Sequence, residues 1–383
     1  MSTQLRLVAT ASLCLAVAAC ASGSRPASSP PKPVSVAPLT TTLTTSAATW
    51  ALVPMGHLDD PANTFWQVFV LPKGRRSWAL VTPPGVADNG GLVAANQGNG
   101  TVVIGFRPSQ SLNFSPLATT TDSGMSYTPD LITAALADLP DALATAPSGQ
   151  AAALVDGGTR LLLRTGSAGP WRETTTQAAL ARSPSGRACG VQQITAVAQS
   201  STGTYLGLAC SRSGTVGLMR LTAAGVQPVE LDLPASTATT QVEVLRLVAA
   251  SGGLTAVLRL TAPGSTTYRV AWTSTQHPAW SLSAPLSDDE TLMSTAVADG
   301  AVGLLTGIPG TAVHINLIRL ADLGWTVLPN PPPATTSIAI SGARVDALVA
   351  ATATLTDYTL NQVTDQWDST QVINVTLPFG SSG

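Results

Sequence analysis

From Trp50 to the end of the chain, short apolar runs alternate with polar turns. Runs of four to eight residues rich in Val, Leu, Ile and Thr are bounded by Gly, Pro, Asn, Asp or Ser. That is the pattern of extended strands rather than of helices. Thr101-Val102-Val103-Ile104-Gly105-Phe106 follows Asn99-Gly100, Leu161-Leu162-Leu163-Arg164 follows Asp156-Gly157-Gly158, and Val302-Gly303-Leu304-Leu305 follows Asp299-Gly300. Such turn residues adopt positive φ at low cost and join antiparallel strands. Two short stretches, Asp130–Leu139 and Thr176–Arg182, suit helices and read as loop decorations. The pattern predicts an all-β chain.

A longer period overlies the strands. Trp78, Tyr127, Trp171, Trp280, Trp325 and Trp367 stand near strand starts at intervals of 49, 44, 109, 45 and 42 residues. The long interval is twice about 54, so one unit without an aromatic belongs between Trp171 and Trp280, and Gly225-Val226-Gln227-Pro228-Val229-Glu230-Leu231 occupies its slot. Several positions share a tail closed by proline: Trp78 to Pro84, Trp280 to Pro285 and Trp325 to Pro331. One four-stranded unit cannot bury both faces alone, so a repeat of this length needs neighbours around a ring. The expectation is a seven-bladed β-propeller of four-stranded antiparallel blades over residues 49–383.

Composition narrows the function. The 383 residues carry 19 Lys and Arg against 21 Asp and Glu, a net charge of −2, which leaves no basic face for a nucleic acid. Hydrophobic residues make up 44% and charged ones only 10%. Yet past residue 20 every apolar run stops short of the roughly 18 to 20 residues that span a bilayer.

Thr120-Thr121-Asp122-Ser123-Gly124-Met125-Ser126-Tyr127 resembles the Asp-box, or BNR repeat, of sialidase-like β-propellers. In that motif a short carboxylate accepts backbone N–H groups inside a tight turn, glycine takes positive φ, and the aromatic seals the next strand. The resemblance implies a structural turn built on Thr120, Asp122, Gly124 and Tyr127. Eroded forms stand at Thr165–Trp171, Asp322–Trp325 and Asp365–Trp367.

The first residues carry an address. Arg6, the apolar stretch Leu7–Val17 and small residues before Cys20 form a secretory signal, and Val17-Ala18-Ala19-Cys20 is similar to the lipobox of bacterial lipoproteins. That resemblance implies cleavage after residue 19, diacylglyceryl attachment to the Cys20 sulfur and acylation (palmitate or similar) of the new amino terminus. Several acyl chains, at ~0.8 kcal/mol per buried methylene, anchor a protein permanently outside the cytoplasmic membrane. Residues 20–48 are rich in Pro, Ser and Thr and read as an extended tether, with an ordered strand open only for the last few threonines. With Cys14 in the signal and Cys20 lipidated, Cys189 and Cys210 remain as a disulfide pair in an oxidising compartment. They bracket two strand-like runs, so a hairpin would bring both thiols to one end.

Catalytic candidates are sparse. The glutamates are Glu173, Glu230, Glu243 and Glu290, each in a different unit; Glu173 suits a surface pair with an arginine. Asp288-Asp289-Glu290 and Asp59-Asp60 read as acidic loops, and His57, His277 and His314 are too scattered for a metal site. A sialidase needs an arginine cluster, a tyrosine nucleophile with a glutamate beside it and an acid/base aspartate. An early Phe/Tyr-Arg-Ile-Pro element supplies one of its arginines, and Phe106-Arg107-Pro108 lacks the isoleucine. No catalytic residue, cofactor or metal is assigned. The expected role is a non-catalytic binding, scaffold or assembly module for a membrane-protein complex or an envelope glycan, as in photosystem assembly factors of the BNR type. A sialidase-like glycoside hydrolase or lyase is the alternative.

Overall fold

The turn pairs and alternating strands build antiparallel meanders. The computed structural model describes residues 42–56, 64–83, 86–108, 115–131, 133–250, 253–274, 278–287, 291–298, 300–307, 312–322 and 324–375, the side chains of 86–90 and 250 excepted. The first sheet runs β1 (Thr42–Thr44), β2 (Ala48–Gly56), β3 (Thr64–Pro72) and β4 (Ala79–Leu80). The next runs β5 (Val86–Gly98), β6 (Thr101–Pro108), β7 (Leu117–Thr120) and β8 (Thr128–Pro129). Then follow β9 (Ala142–Thr145), β10 (Ala151–Val155), β11 (Arg160–Arg164) and β12 (Arg172–Thr176).

A nine-stranded sheet comes next, with two meanders. One holds β13 (Val191–Ser200), β14 (Gly203–Cys210), β15 (Gly217–Thr222) and β16 (Gly225–Pro228). The other holds β17 (Gln241–Ala250), β18 (Gly253–Ala262), β19 (Ser265–Trp272), β20 (Ser281–Leu282) and β21 (Leu286–Ser287). The single pair Ala209↔Glu243 joins them. Two four-stranded sheets complete the chain: β22 (Thr291–Ala298), β23 (Ala301–Gly307), β24 (Val313–Arg319) and β25 (Trp325–Val327), then β26 (Ser337–Ser341), β27 (Arg344–Ala350), β28 (Thr354–Asn361) and β29 (Gln366–Asn374).

Each meander buries its faces against the ones before and after it. Trp50, Val70, Ile104 and Phe106 join β1–β4 to β5–β8, and Val93, Leu117, Leu162 and Trp171 join β5–β8 to β9–β12. Further clusters link the later neighbours in the same way, through Leu154 and Leu206, Leu218 and Leu258, Val270 and Ile318, and Ile315 and Ile338. One more cluster packs Met55, Phe69 and Trp78 of the first sheet with Ala339, Leu348 and Leu355 of the last. The apolar strands that raise the hydrophobic content are thus consumed in contacts between sheets.

The aromatic period acquires a physical meaning. Trp78, Tyr127, Trp171 and Trp280 each stand just before the fourth strand of their meander, while Trp325 and Trp367 lie within it; Gly225 opens β16 in the slot without an aromatic. Three of these residues reach back to the preceding sheet, to a carbonyl just past its own fourth strand. The Tyr127 hydroxyl donates to the Val81 carbonyl at 2.6 Å, and the indole N–H groups of Trp325 and Trp367 donate to the Ala284 and Pro329 carbonyls at 2.9 Å each. The 42-residue spacing of Trp325 and Trp367 is therefore the chain length between one latch and the next. Tyr127→Phe keeps the ring and removes one such bond, and its urea midpoint is expected to report a loss of about 1 kcal/mol. An unchanged midpoint would show that the latch contributes only packing.

One reading is refined and another corrected. The strand left open for the last threonines of residues 20–48 forms as β1 from Thr42, where Thr42 and Leu43 are buried. The strand is stabilised by remote partners, the Thr42 hydroxyl on the Thr295 carbonyl at 3.1 Å and the Thr44 hydroxyl on the Ile340 carbonyl at 2.8 Å. A Ser/Thr-rich composition does not reveal such partners. The correction is to the helix expected at 130–139. Leu136 and Leu139 pack into the core against β5–β12, and the Asp130 and Asp138 carboxylates accept from the N–H groups of Leu131 and Leu139, local bonds that compete with helix. The second candidate does fold as a helix, α1 (Gln177–Arg182), with Thr176 capping the Ala179 N–H at 3.1 Å. A further helix, α2 (Pro184–Cys189), ends on Gly190 at φ 70°.

Candidate functional site

Strands β11, β13 and β15, with the turns after β9, β11 and β13, bring hydroxyl, amide and guanidinium groups to one cleft between the β9–β12 and β13–β16 meanders. It has a volume of about 520 Å³ and is lined by Gln150, Arg164, Thr165, Gln199, Thr202 and Arg220, with Thr174, Thr204 and Thr222 beside them. Four apolar side chains, Ala151, Leu163, Leu221 and Ala223, complete the wall with Gly203, and no carboxylate or aromatic lines it.

Its two arginines are held differently. Arg164 is buried, pairs with the Asp130 carboxylate and lies over the Trp171 ring at 5.1 Å from its centroid. Arg220 donates to the Thr202 carbonyl and lies 5.9 Å from the centre of the Tyr205 ring; no ion pair to a carboxylate forms there among the described residues. Gly203 lies beside it on a backbone at φ +141°, where a Cβ would crowd the Leu221 carbonyl oxygen at 3.3 Å. Gln199 donates from Nε2 to Gln150 Oε1 at 3.3 Å and accepts from the Thr204 hydroxyl at 2.6 Å. The arrangement can recognise an acceptor-rich ligand. It places no general base within the cleft.

The residues singled out from the sequence lie elsewhere. The Thr120–Tyr127 turn joins β7 to β8. The Thr120 hydroxyl donates to Asp122 Oδ1 at 2.9 Å and accepts from the Gly124 N–H at 3.0 Å, and Asp122 accepts the Ser126 N–H at 2.9 Å and the Ser126 hydroxyl at 2.5 Å. The Ser126 hydroxyl, then its N–H, holds the Asp122 carboxyl down at about 2. Gly124 sits at φ +85°, where a Cβ would meet Val81 at 2.7 Å, and burial raises the Tyr127 phenol. Cys189 and Cys210 form a disulfide with Cα atoms 5.2 Å apart; Val191 pairs with Cys210, which sets both thiols at one end of the β13–β14 hairpin.

Glu173 pairs with Arg160 at 2.7 Å, Glu243 pairs with Arg259, and Glu230 is exposed. Cys20, His57, Asp59, Asp60, His277, Asp288, Asp289 and Glu290 lie outside the described residues. Among the described residues no group of His, Cys, Asp and Glu could hold a metal ion, and no helix is long and apolar enough to cross a membrane.

Two charged clusters escaped the sequence reading. Arg344 in β27 donates from Nε to both Asp346 oxygens at 2.7 and 2.8 Å and from a terminal nitrogen to Asp357 Oδ2 at 2.9 Å. The carboxylates are 1% and 0% exposed. Burial, then the Asp357 charge, pushes Asp346 up to about 7 against the pull of Arg344, and burial also raises Asp357. The signal was there in Arg344-Val345-Asp346, whose period of two puts both charges on one strand face. The other is Arg246 in β17, which donates to the carbonyls of Thr295 and Thr42 at 2.8 and 2.5 Å and is lowered to about 10 by desolvation. No spacing rule links positions 204 residues apart.

No protein-family model and no curated protein matches the chain. Solved structures resemble it over most of its length. One of YCF48 bound to D1 peptide is 13% identical with a TM-score of 0.40, covering 89% of this chain and 94% of that one. A putative 6-phosphogluconolactonase from Bacteroides fragilis is 12% identical with a TM-score of 0.49, covering 87% and 96%. A protein from Lactobacillus plantarum is 12% identical with a TM-score of 0.47, covering 86% and 97%. At these identities the likeness carries no activity or partner to this chain.

Proposed function

We propose that the meanders form a closed seven-bladed β-propeller, anchored outside the cytoplasmic membrane through lipid on Cys20, and that it acts as a non-catalytic binding module for a membrane-complex or envelope partner. The contact between the first and last sheets supports closure, and the Thr120–Tyr127 turn supports kinship with Asp-box propellers. One observation carries the binding role. The cleft between β9–β12 and β13–β16 gathers two arginines, two glutamines and five threonines without a carboxylate or histidine among its lining residues. Such a wall recognises without supplying the paired acids that glycoside hydrolysis requires.

A photoreactive residue at Thr202, on the cleft rim, tests this in membranes of the producing cell, with one at exposed Thr364 in the β28–β29 turn as reference. Adducts are expected from position 202 only, and Arg220→Gln should remove them. Adducts from both positions, or from neither, would overturn the cleft as the recognition surface. In parallel, a Cys20→Ala chain that stays membrane-bound with unchanged processing would overturn the lipid anchor.

A further inference from the structure

Resting on the cleft as a recognition surface, we infer that its ligand presents a phosphate group, taken between Arg220 and Arg164. The charge balance points to an anion: Asp130 neutralises Arg164 from outside the lining, whereas Arg220 meets the Thr202 carbonyl and the Tyr205 ring and pairs with no carboxylate among the described residues. The cleft therefore keeps one uncompensated positive charge. The Thr202 carbonyl and the Tyr205 ring hold that charge in place before a ligand arrives, so little ordering cost remains on binding.

The surrounding groups favour phosphate over a lone carboxylate. A carboxylate is satisfied in one plane by a single guanidinium fork, while a phosphate accepts hydrogen bonds from several directions and suits convergent donors on different elements. Here the guanidinium groups come from β11 and β15. Gln150, whose Oε1 is taken by Gln199, and Thr165 add an amide and a hydroxyl from the turns before β10 and after β11. With no aromatic in the wall there is no platform for a nucleobase. The ligand is thus a small non-aromatic phosphate, either free phosphate or the glycerol phosphodiester of a lipid headgroup, and about 520 Å³ lies within the range of small-molecule sites.

Thermal unfolding of the full chain in detergent, at constant ionic strength, tests the inference with inorganic phosphate, glycerophosphoglycerol, acetate and chloride. A phosphate probe should raise the melting temperature while acetate and chloride do not, and Arg220→Gln should weaken the apparent affinity at least tenfold. Greater protection by the diester identifies a headgroup; protection by inorganic phosphate alone identifies free phosphate. Equal protection by acetate, no protection by either phosphate probe, or equal responses of wild type and Arg220→Gln would overturn it. Should Arg220→Gln fail to fold, Thr165→Val at an exposed position replaces it, with an expected loss of about fivefold for one hydrogen bond; an unchanged affinity would count against the assignment. Cleft-specific adducts from Thr202 combined with no phosphate response would reject the phosphate and leave the binding surface standing.

Discussion

Replacing Arg344 with methionine is expected to destabilise the folded chain by about 3–5 kcal/mol at pH 8, the usual consequence of leaving buried charge without its partner. Asp346 and Asp357 are almost entirely buried, and Arg344 is the cation hydrogen-bonded to both. Thr359 and Thr370 add hydroxyl donors at 2.9 and 2.6 Å, but these carry no charge. The sign of the pH dependence follows from the raised values. Asp346 titrates at about 7 in the fold against 3.8 ordinarily, so the native state holds a proton that the unfolded chain releases. The contribution of that proton is complete below about pH 4 and disappears as pH rises through 7. The wild type should lose stability across this window, and Arg344→Met should lose more of it. Urea unfolding at pH 5 and pH 8 reads both effects, and Asp357→Asn in the Arg344→Met background should restore part of the loss at pH 8. Equal losses at the two pH values would show that the cluster acts by packing rather than by charge.

Cys189→Ser with Cys210→Ser is expected to cost about 3 kcal/mol, the chain-entropy value for a loop near this size. The bridge ties the end of α2 to the end of β14 across 21 residues. Both sulfurs lie in the cluster that packs β9–β12 against β13–β16, with Leu180, Ile194 and Leu208 around them. That is the same pair of meanders that forms the cleft, so the double variant tests whether the site depends on the bridge. Calorimetry with and without reductant is the measurement. A melting temperature insensitive to both reductant and substitution would show that the β13–β14 hairpin needs no covalent tie.

Legibility followed the range of the interactions involved. The turns at Asn99-Gly100 and Asp156-Gly157 were readable because their φ requirements are local, and both sites do adopt positive φ. Thr176 could be seen as a helix start because a cap acts on a residue three positions on. The Cys189–Cys210 pairing needed only a hairpin between them. By contrast, β1 is stabilised by carbonyls of Thr295 and Ile340, and Asp130 joins Arg164 across 34 residues. Both lie beyond what local pattern conveys.

Strand alternation, turn chemistry and composition are properties of neighbouring residues, so the all-β character, the aromatic period and the scarcity of acid/base groups are legible along the chain. Which strands and turns meet is a matter of packing between sheets. Gln150, Arg164, Thr202 and Arg220 share a cleft because the packing of Leu154, Leu161 and Leu206 sets one meander against the next. The buried Arg344 cluster likewise exists because β27 and β28 pair in a register that sets Asp346 opposite Thr359. Register and packing between strands, rather than spacing along the chain, bring those charges together.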